Sequence, residues 1–473
     1  MSNNPKNISL QSTGDPFVDL GCLVLESLQE RFPDKNLLEI LEFVVDVYID
    51  LWNRNLYSVF HTNSKITNPI TPGKHRSNTL NYYKSIIDLS EQEEHIQGFC
   101  KTCGKEGILY QNSREFFPVT GSKAFVNYHH GHESGIYLCR ECSTKLFFVP
   151  LGVILIGGMP AMLHPHSEIL KSYWKNSVIN ENLNRIPKGT SEGILKSKFR
   201  NPKFAPENAL FDFAGELIRE IHNENQTEFL QLIRFTNFGP APDCAMFVLP
   251  NPVFLFLNKV LCHFRADWLS FVRRNYHISK SHWDPEKQQW FREEKKKKIE
   301  LTEDDYLDSP NTIYQRLLNN RSILNNLFKT YKNNFLLNLQ KFPLAIALYY
   351  VKEVLGMEKE QIKLITRIAD VIFELSQKEN AFKKYLFMLE SPSKAFELRD
   401  SLLKIAKIHL NSGAKEPLVR RDEYLNYLFP DGQYWGEVRD LLLICIYEKM
   451  HDNQVNVSEI PETTTKKTET NTI

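Results

Sequence analysis

At 473 residues, 42% hydrophobic and 12% aromatic, the chain has the apolar mass for two or three globular domains and is not a fully disordered protein. Lys plus Arg number 58 against 57 Asp plus Glu, so no global positive field advertises nucleic acid, and any such surface must be a local patch. The opening Met1-Ser2-Asn3-Asn4-Pro5-Lys6 lacks the apolar stretch of a secretory signal, and the cysteine usage suits a reducing compartment, which predicts a cytoplasmic protein.

In chain order, Asp15-Pro16 supplies an N-cap with proline at the first helical position, and Phe17, Leu20, Val24, Leu25 and Leu28 then recur at helical spacing. A second amphipathic helix is predicted from about Leu37 to Trp52. Between Ile66 and Tyr83 the character changes: Asn68, Pro69, Pro72, Gly73, Lys74, His75, Arg76 and Asn78 read as one irregular, basic loop.

Next come two CxxC knuckles, Cys100-Lys-Thr-Cys103-Gly-Lys and Cys139-Arg-Glu-Cys142, separated by the residues from Gly104 to Leu138. Two such turns present four sulfurs to one soft divalent ion, so Cys100, Cys103, Cys139 and Cys142 are read as zinc ligands in preference to a redox pair. Four thiolates close the coordination sphere, so the metal is expected to be structural. The long gap requires an inserted loop or hairpin. It holds His129, His130, His132 and Glu133, which read as a polar loop broken by Gly131 and Gly135, although a His could replace a cysteine or the cluster could hold a second ion.

The uncharged run from Leu146 to Leu163 contains Pro150, Gly152, Gly157, Gly158 and Pro160, so a buried strand around Val153–Ile156 is expected in place of a membrane span. Residues 164–206 read as connecting structure with exposed charge. Helices are predicted from Pro206, a strand at Ala245–Leu249, and one long helix from Asn251-Pro252 through Val272. The segment Arg292–Asp305, with Lys295 to Lys298 among acidic flanks, reads as a solvated linker or helix face. Beyond Ser309-Pro310 only helices are expected, and the stretch 452–473 lacks apolar residues to bury and should be a disordered tail. The predicted fold is therefore α+β and mainly helical. An N-terminal mixed domain, 1–300, carries an inserted four-cysteine zinc module at 98–142, and a C-terminal helical bundle spans 301–451. A phosphate-binding loop, a nucleophile elbow and a dinucleotide fingerprint are all absent, so an enzyme is not expected.

The opening Thr13-Gly14-Asp15-Pro16-Phe17-Val18-Asp19, the two distant CxxC knuckles and the helical C-terminal region together resemble the CXXC-CXXC family of CRISPR-associated proteins, over about residues 10–165. The resemblance implies a non-catalytic large subunit of a type I-B Cascade complex. Such a subunit works with guide RNA, target double-stranded DNA and other Cascade subunits, namely the backbone, guide 5′-end and small subunits. It reads the protospacer-adjacent motif and supports R-loop formation, and a helicase-nuclease or a transposition adaptor acts afterwards. Under that reading Gly73, Lys74, His75, Arg76 and Asn78, and then Lys123, are candidates for DNA contact, because cations anchor phosphates while Asn or a close glycine backbone addresses base edges. Lys404, Lys407, Arg420 and Arg421 are candidates to track displaced single-stranded DNA. Met357 is a candidate internal start for a separately made helical product. The alternative is a zinc-dependent nucleic-acid-processing enzyme using His129 to Glu133, although His132-Glu133 lacks deaminase spacing. A stand-alone zinc-ribbon transcription factor is disfavoured by near-zero net charge.

Overall fold

The computed structural model describes the chain apart from residues 1–7, 53–55, 57, 61–63, 65, 68–71, 88–94, 113–134, 187–192, 222, 238–242, 295–296, 430–433 and 456–473. It is α+β and mainly helical, with three small antiparallel sheets. Two compact units are formed: Met1–Glu220 with Phe229–Leu249 and Thr302–Pro310, and Ile221–Glu228 with Pro250–Leu301 and Asn311–Ile473. Residues 250–301 thus group with the C-terminal helices. Among the described residues no helix is long and apolar enough to cross a membrane.

The first unit is built around α1 (Pro16–Arg31). Asp15 caps it, its carboxylate accepting from the N–H groups of Phe17 and Val18, and Pro16 occupies the first turn where its missing N–H costs nothing. Val18, Leu20, Val24, Leu25 and Leu28 are buried. Helix α2 (Leu37–Asp46) starts on a capping box between Asn36 and Glu39 and continues as a π turn over Val47–Leu51, which delivers Tyr48 into the core with its hydroxyl donating to Phe147 O at 2.9 Å. Helix α3 (His75–Ile87) follows a 3-10 turn at Pro72–Lys74. The irregular loop expected here is therefore wrong for 75–83: Thr79, Leu80, Tyr83, Ile86 and Ile87 form a buried helical stripe that the polar residues of the first turn obscure.

Strands β1 (His95–Phe99), β2 (Glu106–Asn112) and β3 (Ile136–Cys139) form an antiparallel sheet in that order, and α4 (Arg140–Leu146) leaves directly from β3. A second sheet, ordered β4-β5-β6-β7, comprises Ile154–Ile156, Met159–Leu163, Leu230–Thr236 and Asp243–Leu249. Gly157 and Gly158, at φ of 59° and 79°, make the tight turn of the β4-β5 hairpin, so the breakers in this apolar run are hairpin chemistry. Residues 164–206 contain more regular structure than predicted: α5 (Glu168–Trp174), a π turn over Lys175–Ile179 and α6 (Asn180–Arg185), before α7 (Ala205–Glu220). Buried Asn182 fixes that excursion by donating to Leu151 O and Val153 O and accepting from Leu195 N–H.

The second unit begins with α8 (Asn251–His263) and α9 (Arg265–Arg274), two helices where one was predicted, because Phe264 leaves helical geometry at φ −137° and ψ 37°. The charged segment after it is not a linker or helix face. Strands β8 (Ser281–Asp284), β9 (Gln289–Glu294) and β10 (Lys297–Glu300) form a meander, and Lys298 pairs with Asp284 while covering the Phe291 ring at 4.3 Å. Helices α10 (Thr312–Leu318), α11 (Leu324–Leu336), α12 (Leu344–Tyr349), α13 (Lys359–Lys378), α14 (Phe382–Glu390), α15 (Ala395–Asn411) and α16 (Trp435–Asp452) complete it, with a π turn at Tyr350–Val354 extending α12. Helix α16 packs against both α11 and α13 and buries Val438, Leu441, Leu442, Ile444 and Cys445.

The leader Ser12-Thr13-Gly14 is tied to α1 through Asp19, which is 4% exposed. Its carboxylate accepts from Ser12 Oγ at 2.5 Å, Thr13 N at 2.6 Å and Gly14 N at 3.1 Å, and His164 Nε2 lies 3.8 Å away. Burial alone would raise this acid, but the nearby His164 ring and the hydrogen bonds from Ser12 and Thr13 outweigh it and bring it down to about 2. A depressed carboxylate stabilises the fold above its unfolded value of about 4, and that stability drains away as pH falls toward 2. Asp19→Asn should therefore cost about 2 kcal/mol at neutral pH, with the gap to wild type closing below pH 4 in urea titrations.

Candidate metal centre

The four knuckle cysteines are brought together by the first sheet. Strand β1 runs into Cys100, whose N–H donates to Lys105 O at 2.9 Å while its own carbonyl accepts from Gly104 N–H at 2.9 Å, so a tight turn carries Cys100 and Cys103 on one side and returns the chain into β2. Strand β2 pairs with β3 in a register that sets Leu109 against Cys139, and the first turn of α4 then presents Cys142. Lys101 N–H reaches Tyr137 O at 3.3 Å, and Lys105 Nζ bridges to Glu141 at 3.2 Å, which joins the two knuckles outside the sulfurs. Asn112, buried, donates to Ser143 Oγ at 3.1 Å and ties β2 to α4.

All four Sγ atoms lie within 4.8 Å of one another, with Cys103 and Cys139 at 3.7 Å. Four sulfurs at about 2.3 Å from a tetrahedral zinc ion sit about 3.8 Å apart, so the spacing fits that ion. Cys100 and Cys142 are buried and Cys103 and Cys139 half-buried, and Cys139 N–H donates to Cys100 Sγ at 3.3 Å, a bond that favours a thiolate. Proton sharing shows why a cation belongs here. Hydrogen bonds from Cys139 and Cys142 hold Cys100 far below the ordinary thiol range, and the same sharing with Cys100 pushes Cys139 up to about 12 and Cys142 higher still. Four crowded sulfurs cannot all ionise against one another, but a divalent ion at their centre lets them. The donor set is a closed structural zinc site of four cysteines, and among the described residues it is the one group of three or more His, Cys, Asp or Glu side chains able to hold a metal.

The other predicted residues fall elsewhere. Gly73 and Lys74 are exposed in the 3-10 turn, and Arg76 and Asn78 are exposed on the first turn of α3, where Arg76 forms an ion pair with Asp46 at 2.7 Å. His75 points the other way and is buried. Lys404 and Lys407 are exposed on α15, Arg420 is exposed and pairs with Glu416 at 3.2 Å, and Arg421 is exposed beside it. Met357 is buried at the start of α13. Lys123, His129, His130, His132 and Glu133 lie outside the described residues. The sequence reading made no role for Asp19 or His164, whose only signal was the density of Ser, Thr, Gly and Asp ahead of α1.

Residues 93–154, the segment from just before β1 to the first residue of β4, match the family model described as CRISPR-associated protein (Cas_CXXC_CXXC). Comparisons with curated proteins and with solved structures return no match. The matched segment contains both knuckles and the strands that bring them together, so the chain's similarity to the CXXC-CXXC family of CRISPR-associated proteins lies in this module.

Proposed function

We propose that this protein is the non-catalytic large subunit of a type I-B RNA-guided DNA surveillance complex. The observation that carries this is the match of residues 93–154 to the CRISPR-associated family, over a metal site whose four thiolates leave no open position for chemistry. Base pairing to a guide reads most of the target, which leaves the protein a short duplex motif to recognise and strands to hold apart. The zinc module serves as a brace, ordering a segment with little core of its own and anchoring α4 beneath α1.

The motif-reading surface is the exposed edge formed by Gly73, Lys74, Arg76 and Asn78, a glycine-containing turn leading into a helix, with cations for phosphates and an amide for a base edge. The Arg76–Asp46 pair is solvent-exposed and contributes little, so Arg76 is free to exchange Asp46 for a phosphate. Lys74→Ala and Arg76→Ala are expected to weaken binding of the assembled complex to motif-bearing duplex and to lower the salt dependence by about one ion each. Unchanged binding in the double variant would remove this surface from the proposal.

Expression of the tagged chain with its neighbouring genes and a guide array tests the function itself. A stoichiometric assembly with a discrete short RNA is expected, and a monomer without RNA or partners overturns it. A separate product from Met357 would carry α13 to α16 without α11. Phe328 and Phe335 of α11 cover Tyr447 of α16 at 5.9 Å, so such a product needs another apolar cover for that face.

A further inference from the structure

Helix α9 presents Asp267, Ser270 and Arg274 on one face, at the helical spacing of three and four residues, toward a small hollow. The other walls come from the β8-β9 hairpin, through Trp283 and Gln288, and from α11 with the segment that follows it. The hairpin is held against α9 by Trp290, whose indole N–H donates to Arg273 O at 2.7 Å, and Phe342 of the segment after α11 packs on Phe271 with ring centroids 5.9 Å apart. The space these walls enclose is about 40 Å³, room for about three atoms of water size.

One cation in this wall has no counterpart. Lys341 is engaged by Asp452 at 2.6 Å and by Glu448 at 2.9 Å. Arg274, half-buried in the same wall, has no hydrogen bond, ion pair or ring contact among the described residues. Burial pulls its guanidinium below the ordinary arginine value, and nothing offsets that effect. An arginine in the last turn of a helix ordinarily needs no further account, since it faces the negative end of the dipole with its head in water. Here the head lines a hollow, where an unpaired cation costs free energy until an anion joins it. Asp267, two turns away on the same face, forms no ion pair among the described residues either, and burial raises its carboxyl.

We propose that this hollow is a binding site for a carboxylate group, held by the paired N–H donors of Arg274. The fit is one of size and of charge. A carboxylate has three heavy atoms in one plane, which is the space enclosed, and two of its oxygens match the guanidinium fork. A phosphate dianion is larger, and it is opposed by Asp267 in the same wall and by Glu448 and Asp452 behind Lys341. So little enclosed space takes in a head group and no more, so the ligand is an acid on a slender stem: a free short-chain carboxylic acid, or a glutamate or aspartate side chain of another polypeptide. The site stands independently of the surveillance-complex reading, and none of the candidate DNA contacts lines it.

The test titrates the purified full chain with sodium propionate and reads saturation transfer to its methyl protons by NMR, which suits the roughly millimolar affinity expected of one ion pair. Arg274→Gln should weaken binding about tenfold or more, and Arg274→Lys, which keeps the charge and loses the fork, should restore only part of it. Arg273→Gln, one residue away and outside the wall, should bind as wild type. Propionate should also raise the unfolding temperature of the wild type and leave that of Arg274→Gln unmoved. Without ligand, Arg274→Gln should unfold no earlier than wild type, because it removes an unpaired charge. The absence of a saturable signal from the wild type up to about 50 mM overturns the site, as does equal binding by Arg274→Gln or equal displacement by inorganic phosphate. Earlier unfolding of Arg274→Gln with propionate binding retained would make Arg274 a structural residue and overturn it likewise. The peptide acetyl-Gly-Glu-Gly-amide, set against its glutamine counterpart, separates the two sources. Tighter binding than propionate assigns the site to a polypeptide side chain, and weaker or no binding assigns it to the free acid.

Discussion

Cys103→Ser is expected to take the purified protein from one zinc ion per chain to near none, and to loosen far more than the turn that carries it. The thiolates come from three places, the β1-β2 turn, the end of β3 and the first turn of α4, so the metal is the point at which the sheet and the helix are joined. Without it, four sulfurs within 4.8 Å share protons, as the downward displacement of Cys100 and the upward displacement of Cys139 and Cys142 indicate, and that hydrogen-bonded cluster is a weak substitute for metal–sulfur bonds. Small zinc modules draw roughly 10 kcal/mol or more from the ion, although part of that is recovered here through the packing of Leu109, Leu138 and Leu146. A loss of at least about 3 kcal/mol is the expected remainder. Elemental analysis reads the metal, and hydrogen exchange reads the consequence: protection should fall across β1 to β3 and into α4, and fall likewise in wild type after chelation. A metal-free variant with wild-type protection in α4 would show that the zinc does not brace the unit.

How much of this was visible beforehand follows from the range over which each signal acts. The knuckles are local: two CxxC turns and their glycine state the donor set, and the structure brings those same four sulfurs together. The strand at Ile154–Ile156 and helix α1 were readable for the same reason, as a β-branched run and a capped periodic stripe. Helix α3 was not, because Lys74 just before it and Arg76, Ser77 and Asn78 in its first turn are polar and exposed, and after His75 its buried stripe resumes only at Thr79. The lysine run at 295–298 read as a solvated linker or helix face, and Lys297 and Lys298 are exposed, but on a strand whose partner, β9, supplies the aromatic ring on which Lys298 lies. His75 shows the limit most directly. Its neighbours suggested a polar ligand, while the helix turns it into the core. The counterpart is Asp19: Ser12 and Thr13 are its neighbours in sequence, but His164, the residue after β5, comes within 3.8 Å of it only through the tertiary fold.

Gly21→Ala should destabilise the first unit by about 3 kcal/mol or more, against the direction that helix propensity alone demands. In an isolated helix the exchange would gain about 1 kcal/mol, since alanine is the better helix former. Here α1 and α4 approach so closely that an added methyl would lie 2.0 Å from Lys145 O and 2.6 Å from Lys145 C, both backbone atoms that no rotamer change can withdraw. The helices must separate, and the separation is opposed by contacts on either side: Lys145 Nζ, buried, donates to Gln11 O at 3.0 Å, and Gly152 sits against Leu20 and Val24 so tightly that its own added methyl would meet them at 2.8 Å. Overpacking of this kind costs roughly 1–3 kcal/mol where side chains can yield, and backbone against backbone belongs at or beyond the upper end. Gly73→Ala is the control, because an added methyl there has nothing within 4 Å. The displacement also reaches the metal, since Lys145 lies one helical turn past Cys142 on α4, so Gly21→Ala should lower zinc retention in a chelator competition whereas Gly73→Ala should not. Loss of stability with full zinc retention would mean that α4 tilts about its metal-bound first turn, leaving the four-cysteine site as the rigid point and the helix pair as the part that yields.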